Sequence, residues 1–283
     1  MKILVTGANG QLGRELKALL DVSFPDCVTY TDVNELDLTD ANALREFVTK
    51  GEFSHIINCA AYTAVDRAEE EAAMCTAINA DAVKNIASVA WDIGAKVLHI
   101  STDYVFNGNS CRPYRESDKV NPLSQYGATK RKGETYLLSM CPNAVVIRTA
   151  WLYSPHGKNF VKTMLRKLDE GNPFSVVADQ VGTPTSATDL ARAIVAMLKA
   201  TQWCPGLYHF TNEGVASWYD FAVMIARLSG RDHRLIRPIT TDEYPTAATR
   251  PQYSVLDKTL FKKTFNYVIP HWVDALEETL SRL

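Results

Sequence analysis

The chain has 283 residues, of which 46% are hydrophobic and 22% charged, and its formal net charge is −2. A chain of this length buries a large core, in one domain or in two lobes. The balanced charge argues against a nucleic-acid-binding surface, and no apolar run approaches the ~18–20 residues that span a bilayer. We therefore expect a globular protein without a nucleic-acid or membrane partner.

The six cysteines are scattered and form no Cys-x-x-Cys pair. In a chain this long, such a distribution is typical of reduced thiols in a cytosolic protein. The N-terminus enters a strand-like segment directly, without the apolar region and cleavage site of a signal peptide. We expect a cytoplasmic location.

The first element is an apolar, β-branched run at residues 3–6, which predicts a buried strand of a parallel sheet. A Gly-x-x-Gly-x-x-Gly turn follows, and after it comes a helical pattern from Arg14. The glycines permit a tight turn and let the backbone approach a pyrophosphate at the helix N-terminus. The predicted dinucleotide-binding residues here are Gly7, Asn9, Gly10, Gln11, Leu12 and Gly13.

A second strand at residues 28–31 ends at Asp32. A carboxylate about 20 residues beyond the glycines is placed to bind the adenosine ribose hydroxyls, with a structural helix cap as the alternative. Asp37 and Leu38 follow, and we expect them to border the adenine.

A third strand at residues 55–58 runs into small residues, which suit the close passage of a cofactor. A fourth strand at 96–100 leads to Thr102, and ligands of an open α/β sheet lie outside the carboxyl ends of its strands. His99, inside this strand, is predicted to be packed rather than catalytic. The cofactor residues predicted after the third strand are Ala60, Ala61 and Tyr62.

Tyr126 and Lys130 are four residues apart, which places them on one face of a helix. A nearby ammonium lowers the pKa of a phenol from about 10, and a phenol so tuned is a proton donor. The spacing alone arises readily by chance. It gains weight because it follows the glycine turn and the strand that ends near Thr102.

Strands that alternate with helices up to a fifth strand at residues 144–149 predict an α/β fold with a Rossmann-type doubly wound parallel sheet. Residues 1–150 form the predicted dinucleotide-binding domain. Residues 151–283 are predicted to be mainly a smaller C-terminal substrate-binding lobe, with about 186–211 returning to the Rossmann domain. Besides the helix that carries Tyr126 and Lys130, the helices predicted beyond residue 77 cover 78–93, 158–169, 186–199, a segment from 217 or 218 to 229 or 230, and about 271–282.

Two further residues are candidates for substrate binding. Trp151, just past the fifth strand, suits stacking on a sugar or base, with a core tryptophan as the alternative. Arg250 suits a bidentate pair with a diphosphate, with a solvated surface arginine as the alternative.

Together, several stretches carry a family resemblance along nearly the whole chain. The chain resembles the extended short-chain dehydrogenase/reductases and, more narrowly, the dTDP-4-dehydrorhamnose reductases. The matching stretches are residues 7–13, 60–66, 101–106, 126–134, 148–151, 179–185 and 244–251.

The resemblance implies a catalytic Ser/Thr-Tyr-Lys group made of Thr102, Tyr126 and Lys130. It implies NADPH or NADH as cofactor and a dTDP-sugar as substrate, whose C4 ketone is reduced to give dTDP-L-rhamnose for cell-surface polysaccharides. In the expected reaction Tyr126 protonates the ketone oxygen, Thr102 hydrogen-bonds it, and Lys130 lowers the pKa of Tyr126. Tyr126 and Lys130 are also expected to bind the cofactor, with Lys130 at the nicotinamide ribose. The substrate-binding residues expected on the same grounds are Thr63, Val65, Thr102, Asp103, Tyr104, Tyr126 and Trp151.

One departure concerns metal binding. Some relatives form dimers through magnesium held by glutamates, and Glu15 matches one such position. Thr188 stands where the second glutamate is expected, and this argues against a magnesium-bridged dimer. A monomer and a homodimer both remain open.

Two other functions are weighed against the reductase. A sugar-nucleotide dehydratase needs an Asp-Glu pair beside Thr102, whereas the chain has Asp103 and Tyr104; an epimerase or another reductase of the superfamily stays an alternative. A non-catalytic regulatory subunit, such as that of methionine adenosyltransferase, is disfavoured because the catalytic group is intact.

Overall fold

The computed structural model describes all 283 residues. Its helices are α1 Gln11–Ser23, α2 Ala41–Gly51, α3 Arg67–Glu70, α4 Ala72–Thr76, α5 Ala82–Ile93, α6 Gln125–Met140, α7 Phe160–Asp169, α8 Ala187–Lys199, α9 Trp218–Leu228, α10 Thr259–Phe265 and α11 Trp272–Leu280. Its strands are β1 Ile3–Thr6, β2 Val28–Thr31, β3 His55–Asn58, β4 Lys96–Thr102, β5 Ala144–Thr149, β6 Leu152–Tyr153, β7 Phe174–Val177, β8 Val181–Gly182, β9 Thr185–Ser186, β10 Gly206–His209, β11 Ala216–Ser217 and β12 Ile236–Ile239. None of these helices combines the length and the apolar composition that a membrane-spanning helix requires.

Six parallel strands form the main sheet in the order β2-β1-β3-β4-β5-β10. Strands β1, β3 and β5 are buried along their whole length, because helices cover both faces of a parallel sheet. The strand order reverses between β1 and β3, and the crevice at such a switch point is where doubly wound sheets bind their ligands. The predicted Rossmann-type α/β fold is confirmed.

Two apolar layers hold the sheet. Leucines of α1 and the apolar face of α8 form one of them together with Phe261 of α10. Helices α2, α5 and α6 supply the other. Strand β10 pairs with β5, so part of the chain beyond residue 150 lies in this sheet. The domain boundaries themselves stay a prediction.

A third core lies in the C-terminal half. It packs α7, α9 and α11 against a small parallel pair of β7 and β12, with Phe221 and Trp272 near its centre. This half forms three two-stranded ladders in place of an extended sheet. Such short ladders explain the irregular sequence pattern after residue 150.

The helix expected over residues 78–93 differs in the structure. The chain forms α4, then a wider π-helical turn over Ala77–Asp81, then α5. The fully buried Asn79 lies in this turn, and its side chain hydrogen-bonds the backbone N–H of Tyr62 at 2.9 Å and the carbonyl of Tyr62 at 3.1 Å. The turn thereby fixes the loop after β3, as π-turns often do near functional sites. Helix α10 was not predicted.

Candidate active site

A cleft of about 420 Å³ opens at the carboxyl ends of β1, β2 and β3. This is the switch point of the sheet, where a dinucleotide is expected. Eight of the predicted cofactor residues line it: Gly7, Asn9, Gly10, Asp32, Asp37, Leu38, Ala60 and Ala61.

The glycine turn shapes one wall of this cleft. Gly7 has a φ of +66°, and a Cβ there would lie 2.6 Å from the nitrogen of Ala60. At Gly13 a Cβ would lie 2.4 Å from the carbonyl oxygen of Gly7. Helix α1 begins after Gly10 with no side-chain cap, so its first N–H groups remain available to an anion. These features fit a dinucleotide diphosphate.

Asp32 and Arg14 meet at the rim of the cleft through Asn9. The Asn9 N–H donates to Oδ2 of Asp32 at 2.9 Å, and Nε of Arg14 donates to the Asn9 carbonyl at 3.0 Å. The other oxygen of Asp32 accepts the N–H of Val33 at 2.8 Å. A negative and a positive group therefore flank the place predicted for the adenosine ribose.

Other predicted cofactor residues have side chains engaged elsewhere. Gln11 Oε1 accepts from Asn159 at 2.9 Å, and the hydroxyl of Tyr62 bonds Glu71. Leu12 is 5% exposed and packs in the core, so only its backbone is left for a cofactor. Cofactor contacts by these residues, and by Gly13, stay predictions.

Thr102 and Tyr126 come together because α6 packs very close to the end of β4. Ser124 caps α6 by accepting the N–H of Gly127 at 3.2 Å. A Cβ on Gly127 would lie 2.2 Å from the carbonyl oxygen of Tyr104, so only glycine permits this approach. The hydroxyl of Thr102 then lies near the Tyr126 phenol, while its own hydrogen bonds join it to the Asp103 carboxylate and to the N–H of Tyr104.

The electrostatics of Tyr126 differ from the expectation. Burial raises its pKa, and the neighbouring Thr102 hydroxyl offsets only part of that rise. Lys130 is 1% exposed and donates to the carbonyl of Ile100 at 2.6 Å. Burial lowers the pKa of Lys130 to about 8. The expected lowering of the Tyr126 pKa by Lys130 is therefore wrong for this structure, because burial dominates.

Asp103 lies beside Thr102 and Tyr126. It is 2% exposed, and its Oδ1 accepts from the Thr102 hydroxyl at 3.0 Å, while its Oδ2 has no partner. Burial raises the pKa of Asp103 to about 6, and the nearby hydroxyls of Ser254 and Thr102 oppose part of that rise. Tyr104 packs edge-to-face on Tyr126 with ring centroids 5.6 Å apart. The structure thus brings four of the predicted site residues together.

Trp151 is held in an unusual backbone conformation, with a φ of +49°. A bulky residue in the left-handed region is strained, and such strain clusters at functional sites. Its ring stacks on Trp218 with centroids 3.6 Å apart and an interplanar angle of 10°. A Cβ on Gly182 would lie 2.7 Å from the Trp151 ring, so glycine makes room for it. Sequence reasoning missed Trp218, whose only signal is its place at the start of α9.

Arg250 is engaged by Asp66. Its two terminal nitrogens donate to the two Asp66 oxygens at 2.7 and 3.1 Å. The pair joins a C-terminal loop to the loop after β3, where Val65 is partly buried and Thr63 exposed. Binding of a diphosphate by Arg250 stays a prediction, as do the substrate contacts of Thr63 and Val65.

A buried ion pair that sequence reasoning missed supports α6. Glu134 accepts from Arg148 at 2.7 and 2.8 Å, and both side chains are at most 1% exposed. Glu134 also accepts from Ser101 at 2.6 Å and from Arg131 at 2.9 Å. The signal was Arg148 inside an otherwise apolar strand, because a buried charge requires a partner.

Glu15, the candidate magnesium ligand, is paired within the chain. Arg282 donates to its two oxygens at 2.9 and 3.0 Å, and Thr188 donates at 2.9 Å. His156 Nε2 lies 3.2 Å from the same carboxylate. The guanidinium of Arg282 therefore pairs with the carboxylate of Glu15, the residue that the resemblance implies as a metal ligand.

Comparisons with known proteins agree along the whole chain. The family model described as RmlD substrate binding domain matches residues 1–283. A dTDP-4-dehydrorhamnose reductase of Streptomyces griseus is 42% identical, covering 99% of this chain and 93% of the relative. A dTDP-4-keto-6-deoxy-D-glucose reductase of Streptomyces niveus is 39% identical, covering 99% and 96%.

A solved structure gives the same result. The Bacillus anthracis dTDP-4-dehydrorhamnose reductase in complex with NADP superposes with a TM-score of 0.95, at 36% identity and with 100% of both chains covered. One family model thus spans the whole chain, and the relatives align with the chain over nearly their full length. The chain belongs to the family of the dTDP-4-dehydrorhamnose reductases.

Proposed function

We propose that this protein reduces the C4 ketone of dTDP-4-dehydro-6-deoxy-L-mannose to give dTDP-L-rhamnose. The observation that supports the proposal is that Thr102 ends β4 while Tyr126 and Lys130 lie on α6, the helix that packs against the end of that strand. Thr102 and Lys130 are at most 4% exposed, and Tyr126 is partly buried.

The cofactor is a nicotinamide dinucleotide, supported by the glycine turn, the uncapped start of α1 and the NADP complex of the Bacillus anthracis relative. When bound, the reduced nicotinamide supplies the hydride. We propose that both NADPH and NADH serve, because Asp32 favours free ribose hydroxyls while Arg14 favours a phosphate.

Tyr126 is the proposed acid. Its raised pKa keeps the phenol protonated at neutral pH, so it has a proton to give to the ketone oxygen. Thr102 hydrogen-bonds the same oxygen, and both groups act on charge that appears only in the transition state. A general acid in such a position contributes about 10²–10⁴-fold to the rate.

The stacked pair of Trp151 and Trp218 is the proposed platform for the sugar nucleotide. A strained residue that is held between a glycine and a second tryptophan presents a fixed surface. Fixed aromatic surfaces orient a ligand at low entropic cost.

A second substrate is suggested by the Streptomyces niveus relative, whose name gives a 4-keto sugar of the D-gluco series. Purified protein is to be supplied with each of the two 4-keto sugars and NADPH, and the oxidation of NADPH is to be followed by the loss of its nicotinamide absorbance. We expect faster turnover of the L-manno ketone, with dTDP-L-rhamnose identified by NMR. Turnover of the D-gluco ketone alone would favour the second substrate. Cofactor binding without turnover of either would favour a non-catalytic subunit.

A further inference from the structure

A chain of buried hydrogen bonds runs from β1 to Lys130. Asn58, at the end of β3, accepts the backbone N–H of Ala60 at 3.1 Å and the hydroxyl of Thr6 at 2.8 Å through its Oδ1. Its Nδ2 faces Nδ1 of His99 at 3.0 Å. Nε2 of His99 in turn faces Nζ of Lys130 at 3.3 Å. Asn58, His99 and Lys130 are each at most 2% exposed.

The donors and acceptors along this chain fix the tautomer of His99. The Ala60 N–H is a donor only, so it holds the oxygen of the Asn58 amide toward itself. The NH₂ group of Asn58 then points at His99 Nδ1, which must accept. A neutral imidazole that accepts at Nδ1 carries its proton on Nε2. Burial and the neighbouring Lys130 hold the pKa of His99 well below its usual value, so the ring stays neutral.

The Nε2–H of His99 therefore points at the nitrogen of Lys130. An ammonium carries donors only, so two donors would oppose each other at this contact. A neutral amine accepts the His99 proton with its lone pair and still donates to the Ile100 carbonyl, which lies 2.6 Å away. With Lys130 as a neutral amine, the Nε2–H of His99 has an acceptor; with Lys130 as an ammonium, two donors face each other.

No carboxylate balances the charge of Lys130 by direct contact. Glu134, one turn further along α6, attracts it, but the oxygens of Glu134 are taken by Arg148, Arg131 and Ser101. The other titratable groups that face Lys130 are the thiols of Cys59, which is partly buried, and of Cys75, which is buried, and, on its own helix face, Tyr126. His99 is the ring that contacts its nitrogen.

We propose that His99 is a positioning residue that acts through Lys130: held as the Nε2–H tautomer by Asn58, it disfavours the ammonium and sets the pH at which Lys130 releases its proton. The inference rests on the proposed reduction, in which Tyr126 loses a proton in each turnover. Lys130 restores it, the ammonium proton passing to the phenolate oxygen and leaving the neutral amine that His99 stabilises. Solvent then reprotonates the amine.

The first test reads the tautomer directly. Protein labelled with ¹⁵N in histidine is to be studied by long-range ¹H–¹⁵N correlation at neutral pH, with His99→Phe used to assign the signals. We expect the proton on Nε2 and a bare Nδ1. A proton on Nδ1 in the wild type would overturn the inference. This measurement needs no turnover, so it separates the inference from the proposed function.

The second test exchanges donor and acceptor at the contact between His99 Nε2 and Lys130 Nζ, and it needs one isosteric substitution. In Asn58→Asp a carboxylate accepts the Nδ1 proton, so the tautomer switches and Nε2 becomes an acceptor for the ammonium. We expect the alkaline limb of the kcat/KM profile to move upward by about one pH unit or more. His99→Phe, which keeps the ring but removes the opposing N–H, is expected to move it in the same direction.

Asn42→Asp is the matched control, because it adds the same charge at an exposed position of α2. Its profile is expected to stay within about 0.2 pH units of the wild type, since exposed charges at a distance are screened. If Asn58→Asp switches the tautomer without moving the profile, Lys130 does not control the pH dependence and the inference fails. Should His99→Phe fail to fold, the tautomer and Asn58→Asp measurements decide the question.

Discussion

Arg250 and Asp66 form a two-pronged ion pair across 184 residues of chain, with N···O distances of 2.7 and 3.1 Å. The pair joins a C-terminal loop to the loop after β3, and Asp66 also accepts the N–H of Ala248 at 3.2 Å. The sequence pattern suggested a clamp for a diphosphate. In the structure the same guanidinium instead joins these two loops through Asp66.

Arg250→Lys tests this connection. Lysine keeps the charge but loses the planar fork, so it cannot hold both oxygens of Asp66. We expect KM for the sugar nucleotide to rise by about tenfold, which corresponds to the loss of about one charge-assisted hydrogen bond, while kcat changes less. Arg231→Lys is the control, since Arg231 makes a similar pair with Asp169 at 2.7 and 3.1 Å away from this site. Equal effects of both changes would show that Arg250 has no special role in substrate binding.

The acid is tested by Tyr126→Phe, which keeps the ring and removes the proton donor. We expect kcat to fall by about 10²–10⁴, with the dissociation constant for NADPH nearly unchanged. Tyr136→Phe, on the same helix, should retain wild-type turnover. Near-normal turnover by Tyr126→Phe would mean that another group donates the proton.

Thr102 requires a pair of variants because its hydroxyl has structural partners. It donates to Asp103 at 3.0 Å and accepts the N–H of Tyr104 at 3.2 Å. Thr102→Val removes the hydroxyl, and we expect kcat to fall more than KM rises, as for a hydrogen bond made in the transition state. Thr102→Ser keeps the hydroxyl and should restore most of the rate. A change confined to KM would assign Thr102 to substrate binding only.

The choice of cofactor is expected to depend on Asp32 and Arg14. The wild type should use NADPH and NADH with specificity constants within about tenfold of each other, because two opposing terms of about 1 kcal/mol act at the rim. Asp32→Asn keeps an acceptor for the Asn9 N–H and removes the charge, so the ratio should shift toward NADPH. Arg14→Ala should shift it toward NADH. If Asp32→Asn leaves the ratio unmoved, the carboxylate does not lie at the ribose.

The buried pair of Glu134 and Arg148 predicts a large effect on stability. Arg148→Met leaves a buried carboxylate without its main partner, and we expect a loss of about 3–5 kcal/mol in the free energy of unfolding. Arg166→Met removes an exposed pair with Glu170 and should cost less than about 1 kcal/mol. Urea titration of both variants compares them. A loss from Arg148→Met as small as that from Arg166→Met would contradict the prediction.

The ion pair of Glu134 and Arg148 also determines in which direction the free energy of unfolding changes with pH. Burial alone would raise the pKa of Glu134, but its bonds with Arg148, Ser101 and Arg131 hold that pKa below its usual value. A depressed folded-state pKa stabilises the protein fully above the unfolded value of about 4.3, and this stabilisation is lost as the pH falls through the folded pKa. We expect the wild type to lose more stability than Arg148→Met on acidification below about pH 4, as measured by urea unfolding. An equal loss would show that Glu134 does not contribute.

Much of the cofactor site was predictable because its signals are local. A β-branched run, a glycine turn and a helical pattern within the first 23 residues define β1, the turn and α1. The left-handed φ of Gly7 and the close approach at Gly13 exclude other side chains, and that exclusion is visible in the residue type itself. The spacing of Tyr126 and Lys130 likewise follows from the period of one helix.

The rest of the site depended on contacts between distant parts of the chain. Trp151 stacks on Trp218, Asp66 pairs with Arg250, and Asn58 orients His99, which faces Lys130. None of these contacts follows from helical or strand periodicity, because a periodic pattern reports only which face is buried and not what that face meets. The burial of His99 was predicted correctly, but its partners were decided by how β3, β4 and α6 pack. The sequence by itself determined the sheet, the glycine turn and the spacing of Tyr126 and Lys130 on one helix, whereas side-chain packing between elements decided which groups contact Lys130 and Arg250.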